Sequence, residues 1–424
     1  MLKKRKTFWK AGVAEKNRIV PLLIVTCMVT LVMAGCSSEL SEVLENRETV
    51  VDYEGYPSSE DGFDNAENIV AVYRDIYDEA VETNTLGSLA TLRRIVERLG
   101  ENGYVAVDSE NQVDMAGAEQ VIEFCKAVDE MKRATLTIIV IKDFGFRKFD
   151  LETEDGNVMI VRGYYQYDKN GCPQNRNTVS YPADIWQYTE EGYLLFEGSY
   201  FSNENYVLTL SAAPEHTALR VLPLDEKCRE LNRRYILPVG YGQNNIFLTD
   251  WHEEEVGELD FYDIFDNFYP ILYGQSIPYV ADENLAVGAV YLIPEEIFEN
   301  VIMTYYNVSK EALQRETTYI PEKAAYEYRP RGFNEVEYSD IPYPEVVDYT
   351  ENQDGTITLI VNAVYSNGNT SVAYSHRTVI RPLDGDCFQY VSNQMTFLED
   401  EHDIWWHSDR LTKEEWLEIY GGIE

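Results

Sequence analysis

The densest grouping of side chains able to do chemistry is Glu399-Asp400-Glu401-His402-Asp403-Ile404-Trp405-Trp406-His407. Two imidazoles among carboxylates have the donor types for zinc or another divalent cation. The spacing is not the helical H-E-x-x-H that places two ligands on one helix face. The segment therefore reads as an acidic loop whose two tryptophans pack on the preceding sheet, and no metal ligand is assigned. His252 followed by Glu253, Glu254 and Glu255 is a second histidine–acid run. Consecutive side chains point in different directions, so it reads as a solvated helix start. Asp108, Glu110, Asn111 and Asp114 are spaced like part of a calcium loop, but Val113 stands where that loop needs glycine. They read instead as a turn and a helix cap.

Nucleophile motifs are missing. No serine lies in G-x-S-x-G or S-x-x-K, and no G-x-x-x-x-G-K-[ST] occurs. Gly240-Tyr241-Gly242 lacks the third glycine of a dinucleotide loop. The 74 acidic residues offer many carboxylate pairs, but sequence does not give the separations on which acid–base pairs depend. No catalytic residue and no cofactor are assigned, and an envelope hydrolase using such carboxylates is the alternative to a non-catalytic role. The 32 tyrosines suit sugar stacking or half-buried sheet; the expectation is sheet and core packing.

One cysteine has a chemistry of its own. Lys3, Lys4, Arg5, Lys6, Lys10, Lys16 and Arg18 precede an uncharged run from Ile19 to Gly35, and Met33-Ala34-Gly35 leads into Cys36. A basic leader, an apolar run and small residues at a cleavage point are the parts of an export signal. The stretch resembles the lipobox of prolipoproteins, with Met33 in the usual leucine place. The resemblance implies cleavage between Gly35 and Cys36, a diacylglyceryl thioether on Cys36, and an extracytoplasmic protein anchored to the cell membrane through that residue. Two acyl chains suffice for stable anchoring, at ~0.8 kcal/mol per buried methylene.

The net charge is −39, and the leader is its basic part. Nucleic acid, which needs clustered lysine and arginine, is excluded as a partner, as is flat docking on anionic lipid. The acids are spread along the chain and read as a solvated surface. A basic partner would suit a sensory or regulatory role; an envelope protein or a glycan is the other partner class in view. Cys125, Cys172, Cys228 and Cys387 lie far apart without a C-x-x-C pair, so no zinc or dithiol site is expected. Cys125 falls on the apolar face of an expected helix.

The elements that must position these residues follow from periodicity. Residues 1–35 are the expected signal peptide and 36–66 an acidic tether. Residues 67–255 and 256–424 are two expected α+β blocks, each with helices before an antiparallel meander. Ile69, Val72, Tyr73, Ile76, Tyr77 and Ala80 form a helical stripe, as do Leu89, Leu92, Ile95, Val96 and Leu99, closed by Gly100. A third helix is expected at Ala116–Lys132 behind Asp114. Strands are expected at Thr135–Lys142, Asn157–Tyr167, Ser180–Tyr188, Tyr193–Phe201 and Tyr206–Ala212, with turns at Asp155-Gly156, Asn170-Gly171 and Glu191-Gly192. The first block ends in a mixed stretch, 219–255, with a helix at Leu224–Asn232. The second has helices at Asp260–Tyr273 and after Pro294, a proline-marked connection from Pro321 to Pro344, and strands at Thr356–Tyr365, Ser371–Arg381 and Phe388–Phe397. Thr412 with Glu415 makes a capping box for a last helix ending at Gly421.

Several segments resemble an uncharacterised lipoprotein family of Gram-positive gut bacteria, known only as a domain of unknown function. They are Gly103 to Gln112, Tyr188 to Phe201, Leu219 to Tyr241, Arg331-Gly332-Phe333, Pro342 to Leu359 and Leu411 to Trp416. The resemblance implies export and lipidation and brings no activity. Replacing Cys36 by alanine is expected to move the protein from the membrane to the soluble fraction of lysed cells; retention in the membrane pellet would refute lipidation at Cys36.

Overall fold

Along Leu136-Thr137-Ile138-Ile139-Val140-Ile141 the side chains alternate between two buried faces, so this strand must be covered on both sides. The computed structural model describes residues 65–201, 211–337, 340–398 and 406–421. Gly35, Cys36, the leader, nearly all of the tether, His402 and most of the strand expected at 206–212 lie outside those residues. Among the described residues no helix is long and apolar enough to cross a membrane.

The first half opens with α1 (Ala66–Val72), α2 (Arg74–Glu82) and α3 (Leu89–Glu101). The first expected helix is thus two, broken at Tyr73, yet Ile69, Tyr73, Ile76 and Ala80 keep one buried stripe. Ser88 caps α3 by accepting from Thr91 N. Gly100 does not end that helix. It lies inside it, where an added Cβ would stand 2.6 Å from Ala116 Cβ, so glycine serves close approach of two segments.

Next come β1 (Val105–Asp108), α4 (Ala118–Asp129), β2 (Ala134–Lys142), β3 (Gly145–Glu154), β4 (Asn157–Tyr167) and β5 (Pro173–Pro182). Their sheet has the order β1-β2-β3-β4-β5, with β1 parallel to β2 and the rest antiparallel. The α+β class holds, but the parallel β1 departs from a pure meander. Asp114 does not cap α4; Gly117 does, and Asp114 pairs with Arg229 at 2.7 Å. Then β6 (Ile185–Tyr188), β7 (Tyr193–Tyr200) and β8 (Ala213–Arg220) form a three-stranded sheet in sequence order. Helices α1–α3 cover Ile139, Ile141, Phe146 and Tyr165 on one face of the large sheet. Helix α4 and the β6–β8 sheet cover Ile138, Val140, Phe149 and Ile160 on the other, through Phe124, Leu194, Phe196 and Leu219.

The second half contains α5 (Glu226–Leu231), which runs into a π-helical turn at Asn232–Ile236, β9 (Trp251–His252) and α6 (Phe261–Tyr273). The run from His252 is not a helix start: His252 ends a two-residue strand paired with Ser392-Asn393, and Glu253 forms an ion pair with Arg381 at 2.7 Å. There follow β10 (Tyr291–Pro294), α7 (Glu295–Tyr305), α8 (Lys310–Glu316), β11 (Tyr319–Ile320), β12 (Ala325–Tyr328), β13 (Tyr343–Glu351), β14 (Ile357–Tyr365), β15 (Thr370–Pro382), β16 (Phe388–Leu398) and α9 (Lys413–Tyr420). The main sheet is β13-β14-β15-β16-β9, antiparallel throughout, and β10-β12-β11 forms a small second sheet. Pro344 is accommodated because β13 is an edge strand. An aromatic core of Phe265, Phe268, Phe298, Tyr306, Tyr326 and Tyr390 fills this half, and Cys228, Tyr235 and Phe247 contribute to it.

Two buried polar groupings hold the second half together. Asp263 takes Arg331 on both oxygens (3.1 and 2.8 Å) and Arg410 Nε at 2.9 Å, while Arg331 Nη1 donates to Ser408 O at 2.7 Å. These bonds pin the segment before α9 onto α6. Burial and the neighbouring Asp263 push the helix-capping Asp260 up to about 6, against the pull of Arg410. In the main sheet, His376 is fully buried between Tyr241 Oη (3.0 Å) and Asn393 Oδ1 (2.8 Å). Burial drives its imidazole down to about 3.

Because the unfolded histidine titrates near ~6.5, the unfolded chain binds the extra proton between that pH and about 3. Stability therefore rises with pH across this window and is complete above it. By NMR, the His376 ring is expected to stay neutral down to pH ~4; a His376 transition near pH 6 would contradict the buried network.

Candidate functional site

The inward face of the large sheet changes character toward one end. On β2 the inward residues Leu136, Ile138 and Val140 are followed by Lys142; on β3 Leu151 and Phe149 are followed by Arg147; on β4 Ile160 is followed by Arg162. The register sets Val140 opposite Arg147 and Phe149 opposite Arg162. Sheet β6–β8 covers the apolar portion. Beyond it, a cleft of about 450 Å³ opens with Lys142, Arg147, His216 and Arg233 on its walls and Val140, Phe149, Leu219 and Leu237 among its apolar residues. A second hollow of about 440 Å³ shares Arg147, His216 and Ser366 with it and carries Arg162 and Tyr200.

The cations of this cleft differ in how they are compensated. Arg162 is neutralised by Glu215, which accepts from Nε and Nη2 at 3.0 and 2.7 Å. Arg233 pairs with Glu226 at 2.9 Å, yet its Nη1 is buried without a partner. Arg147 and Lys142, both half-buried, form no ion pair or hydrogen bond among the described residues. Burial lowers the Lys142 ammonium, Arg147 lowers it further, and Glu110 and Asp143 oppose them. Among the described residues Glu110 is the only acid lining the main cleft. Gln112 Oε1 and Thr217 Oγ1, from two other lining residues, are also buried and unpartnered. Unsatisfied buried polar atoms are costly unless something meets them, and here they share one cleft with uncompensated positive charge.

The cleft owes its shape to the contact between β7–β8 and β13. Arg220 Nη1 meets Glu345 Oε2 at 2.6 Å, with each side chain 7% exposed. Tyr193 donates to Glu345 Oε1 at 2.7 Å, and Tyr343 to Tyr193 at 2.9 Å. Asn111, at positive φ, donates to Tyr343 Oη and accepts from Arg220 N. Burial raises the Glu345 carboxyl and Arg220 opposes the shift. Tyr193 and Leu195 on the outer face of β7 pack with Val364. Ser371 Oγ donates to Glu191 Oε2 at 2.9 Å and lies 3.1 Å from Thr189 Oγ1.

The residues singled out from sequence fall elsewhere. His407 Nδ1 lies 2.8 Å from Glu337, and His402 lies outside the described residues. Among the described residues no grouping of histidine, cysteine and acids has the geometry of a metal site. Asp108 is a buried turn anchor that accepts from the backbone of Glu110, Gln112 and Val113. That turn places Glu110, Asn111 and Gln112 at the cleft, so the segment matters through a role other than calcium. Cys125, Cys172, Cys228 and Cys387 are free thiols, and burial pushes Cys125 up to about 12. Tyr165, Tyr181 and Tyr193 are buried and Tyr164, Tyr167 and Tyr200 half-buried, as packing rather than a flat sugar platform requires. Lys142, Arg147 and Arg233 carried no motif; the only sequence signal was a cation ending an alternating apolar run on each of three successive strands.

Residues 59–410 match the model of a family of unknown function (DUF6070). No curated protein matches the chain, and no solved structure does. The expectation of an uncharacterised family is borne out to that extent.

Unpairing the buried Arg220 is expected to cost ~3–5 kcal/mol, so Glu345→Gln should lower the urea midpoint sharply. Replacing both partners, Arg220→Met with Glu345→Leu, should recover much of that loss. Equal loss in the single and double variants would show that the pair does not act as a buried charge pair.

Proposed function

This chain belongs to the DUF6070 family, whose function is unknown, and we propose that it is a non-catalytic binding protein whose junction cleft holds an anionic ligand. We propose further that it works outside the cytoplasm, anchored to the cell membrane through lipidated Cys36. The basic leader, the uncharged run and Met33-Ala34-Gly35-Cys36 support the anchoring, as does the resemblance to lipoproteins of Gram-positive gut bacteria.

The observation that carries the binding reading is the pairing of Arg147 with Lys142 over an apolar floor, with no carboxylate in ion-pair contact with either among the described residues, in a chain of net charge −39. Two adjacent half-buried cations repel one another and have lost part of their hydration. An anion seated between them recovers both losses through charge-assisted hydrogen bonds. The apolar floor suits a ligand with an uncharged body, and a single acid on the walls does not make a general acid–base pair.

Calorimetry on the full-length protein with inorganic phosphate and with acetate tests this. Saturable binding is expected, weakened at least ~10-fold in Lys142→Ala with Arg147→Ala, since each charge-assisted bond is worth ~1.5–3 kcal/mol. Affinity should fall as pH rises into the lysine range, because only the ammonium form of Lys142 attracts an anion. Binding unaltered in the double variant, or no binding of either anion, overturns the reading.

A further inference from the structure

The wall of the cleft opposite Lys142 and Arg147 is a strand edge. Among the described residues strand β8 pairs only with β7. On its other side Asn111 takes the place of a neighbouring strand over a short stretch, donating to Ala218 O at 3.2 Å and accepting from Arg220 N at 2.9 Å. In an antiparallel strand the N–H and C=O of one residue leave on the same side. Ala218 and Arg220 therefore face outward, and so does His216 two residues before. The Ala218 N–H and both backbone groups of His216 take no partner among the described residues. His216, Thr217, Ala218 and Leu219 all line the cleft.

Resting on the anion-binding reading, we infer that the cleft receives the carboxylate end of an extended peptide, which adds to the free edge of β8. Main-chain hydrogen bonds to such an edge give affinity, and a terminal carboxylate gives register. The peptide's carboxylate sits on Arg147 and Lys142, within reach of the orphaned Arg233 Nη1. Its backbone N–H groups meet the acceptors that a bare anion leaves unused, His216 C=O and the buried Gln112 Oε1. The edge is short at both ends: Asn111 occupies it beyond Ala218, and Pro214 offers no N–H. About three ligand residues fit, which agrees with a cleft in the ~300–1,000 Å³ range of ligand sites. A phosphate alone would satisfy the cations and leave the strand edge and Gln112 unmet.

The test uses the full-length protein and three probes: acetyl-trialanine as the free acid, the same peptide amidated at its C-terminus, and acetate. The free acid is expected to bind at least ~10-fold more tightly than acetate and than the amide. Ala218→Pro removes one outward N–H without touching the β7 ladder; it should abolish the advantage of the peptide over acetate. Where that variant melts early, a peptide N-methylated at its middle residue decides on the unaltered protein, with a loss of at least ~10-fold expected. Equal affinity for acetate and the free acid, or an indifferent N-methyl peptide, overturns the peptide inference while anion binding stands. No binding of any of the three overturns both.

Discussion

The geometry of the molecule hangs on one buried charge pair, Arg220 with Glu345. Removing two charges from water costs several kcal/mol per ion, and only close geometry with further hydrogen bonds offsets it. Both are met here: Tyr193 takes the second oxygen of Glu345, and the Arg220 guanidinium lies over the Tyr193 ring at 5.3 Å. The pair links β8 of the first half to β13 of the second. Sliding either strand would strand a charge in the interior, so β8 has one permitted position. The free edge of β8, and with it the cleft, is placed by that restriction.

A contrast in carboxylate pairing separates framework from site, although Arg220 Nε and Arg229 Nε and Nη2 are also buried without partners. Asp263 with Arg331 and Arg410 is dense and titratable, yet each guanidinium finds a carboxylate and a backbone carbonyl. His376 has its partners as well, which is why its low basicity marks a packed core rather than a reactive group. At the cleft the accounting does not close. Lys142 and Arg147 lack acids, and Gln112, Thr217 and Arg233 keep buried atoms without partners. A protein rich in carboxylates could have supplied neutralising acids there, yet among the described residues Glu110 is the one acid lining the main cleft, and neither it nor Asp143 forms an ion pair with Lys142.

Elements whose signal is local were legible in the residues. Thr412 and Glu415 satisfy each other's backbone donors as the capping box requires. Asp260 caps α6 and Gly274 ends it. The alternation in β2, β4, β14 and β15 survives because apolar side chains dominate one face. Strand β3 was missed although Phe149, Leu151 and Thr153 are buried and alternate with Asp150, Glu152 and Glu154; the pair Arg147-Lys148 breaks the pattern at its start. Strand β13 was hidden by Pro344, tolerable only at a sheet edge. Gly100 was misread because a glycine needed for close approach and one needed for a helix end are the same letter.

By itself the sequence determined the α+β class, the caps, the hairpin turns and the acidic balance of the chain, all of which depend on neighbours within a few positions. It also supplied a motif at Cys36 that is read by chemistry outside the folded body. Only the tertiary structure decided where Lys142, Arg147, His216 and Arg233 meet. These four come from three separate strands and the turn after α5, and nothing in their local spacing relates them. Their convergence follows from strand register and from the burial of Arg220 with Glu345, two constraints that act across more than a hundred residues of chain. Uncompensated charge is likewise a property of a place and not of a segment, since it depends on which carboxylates the fold brings near.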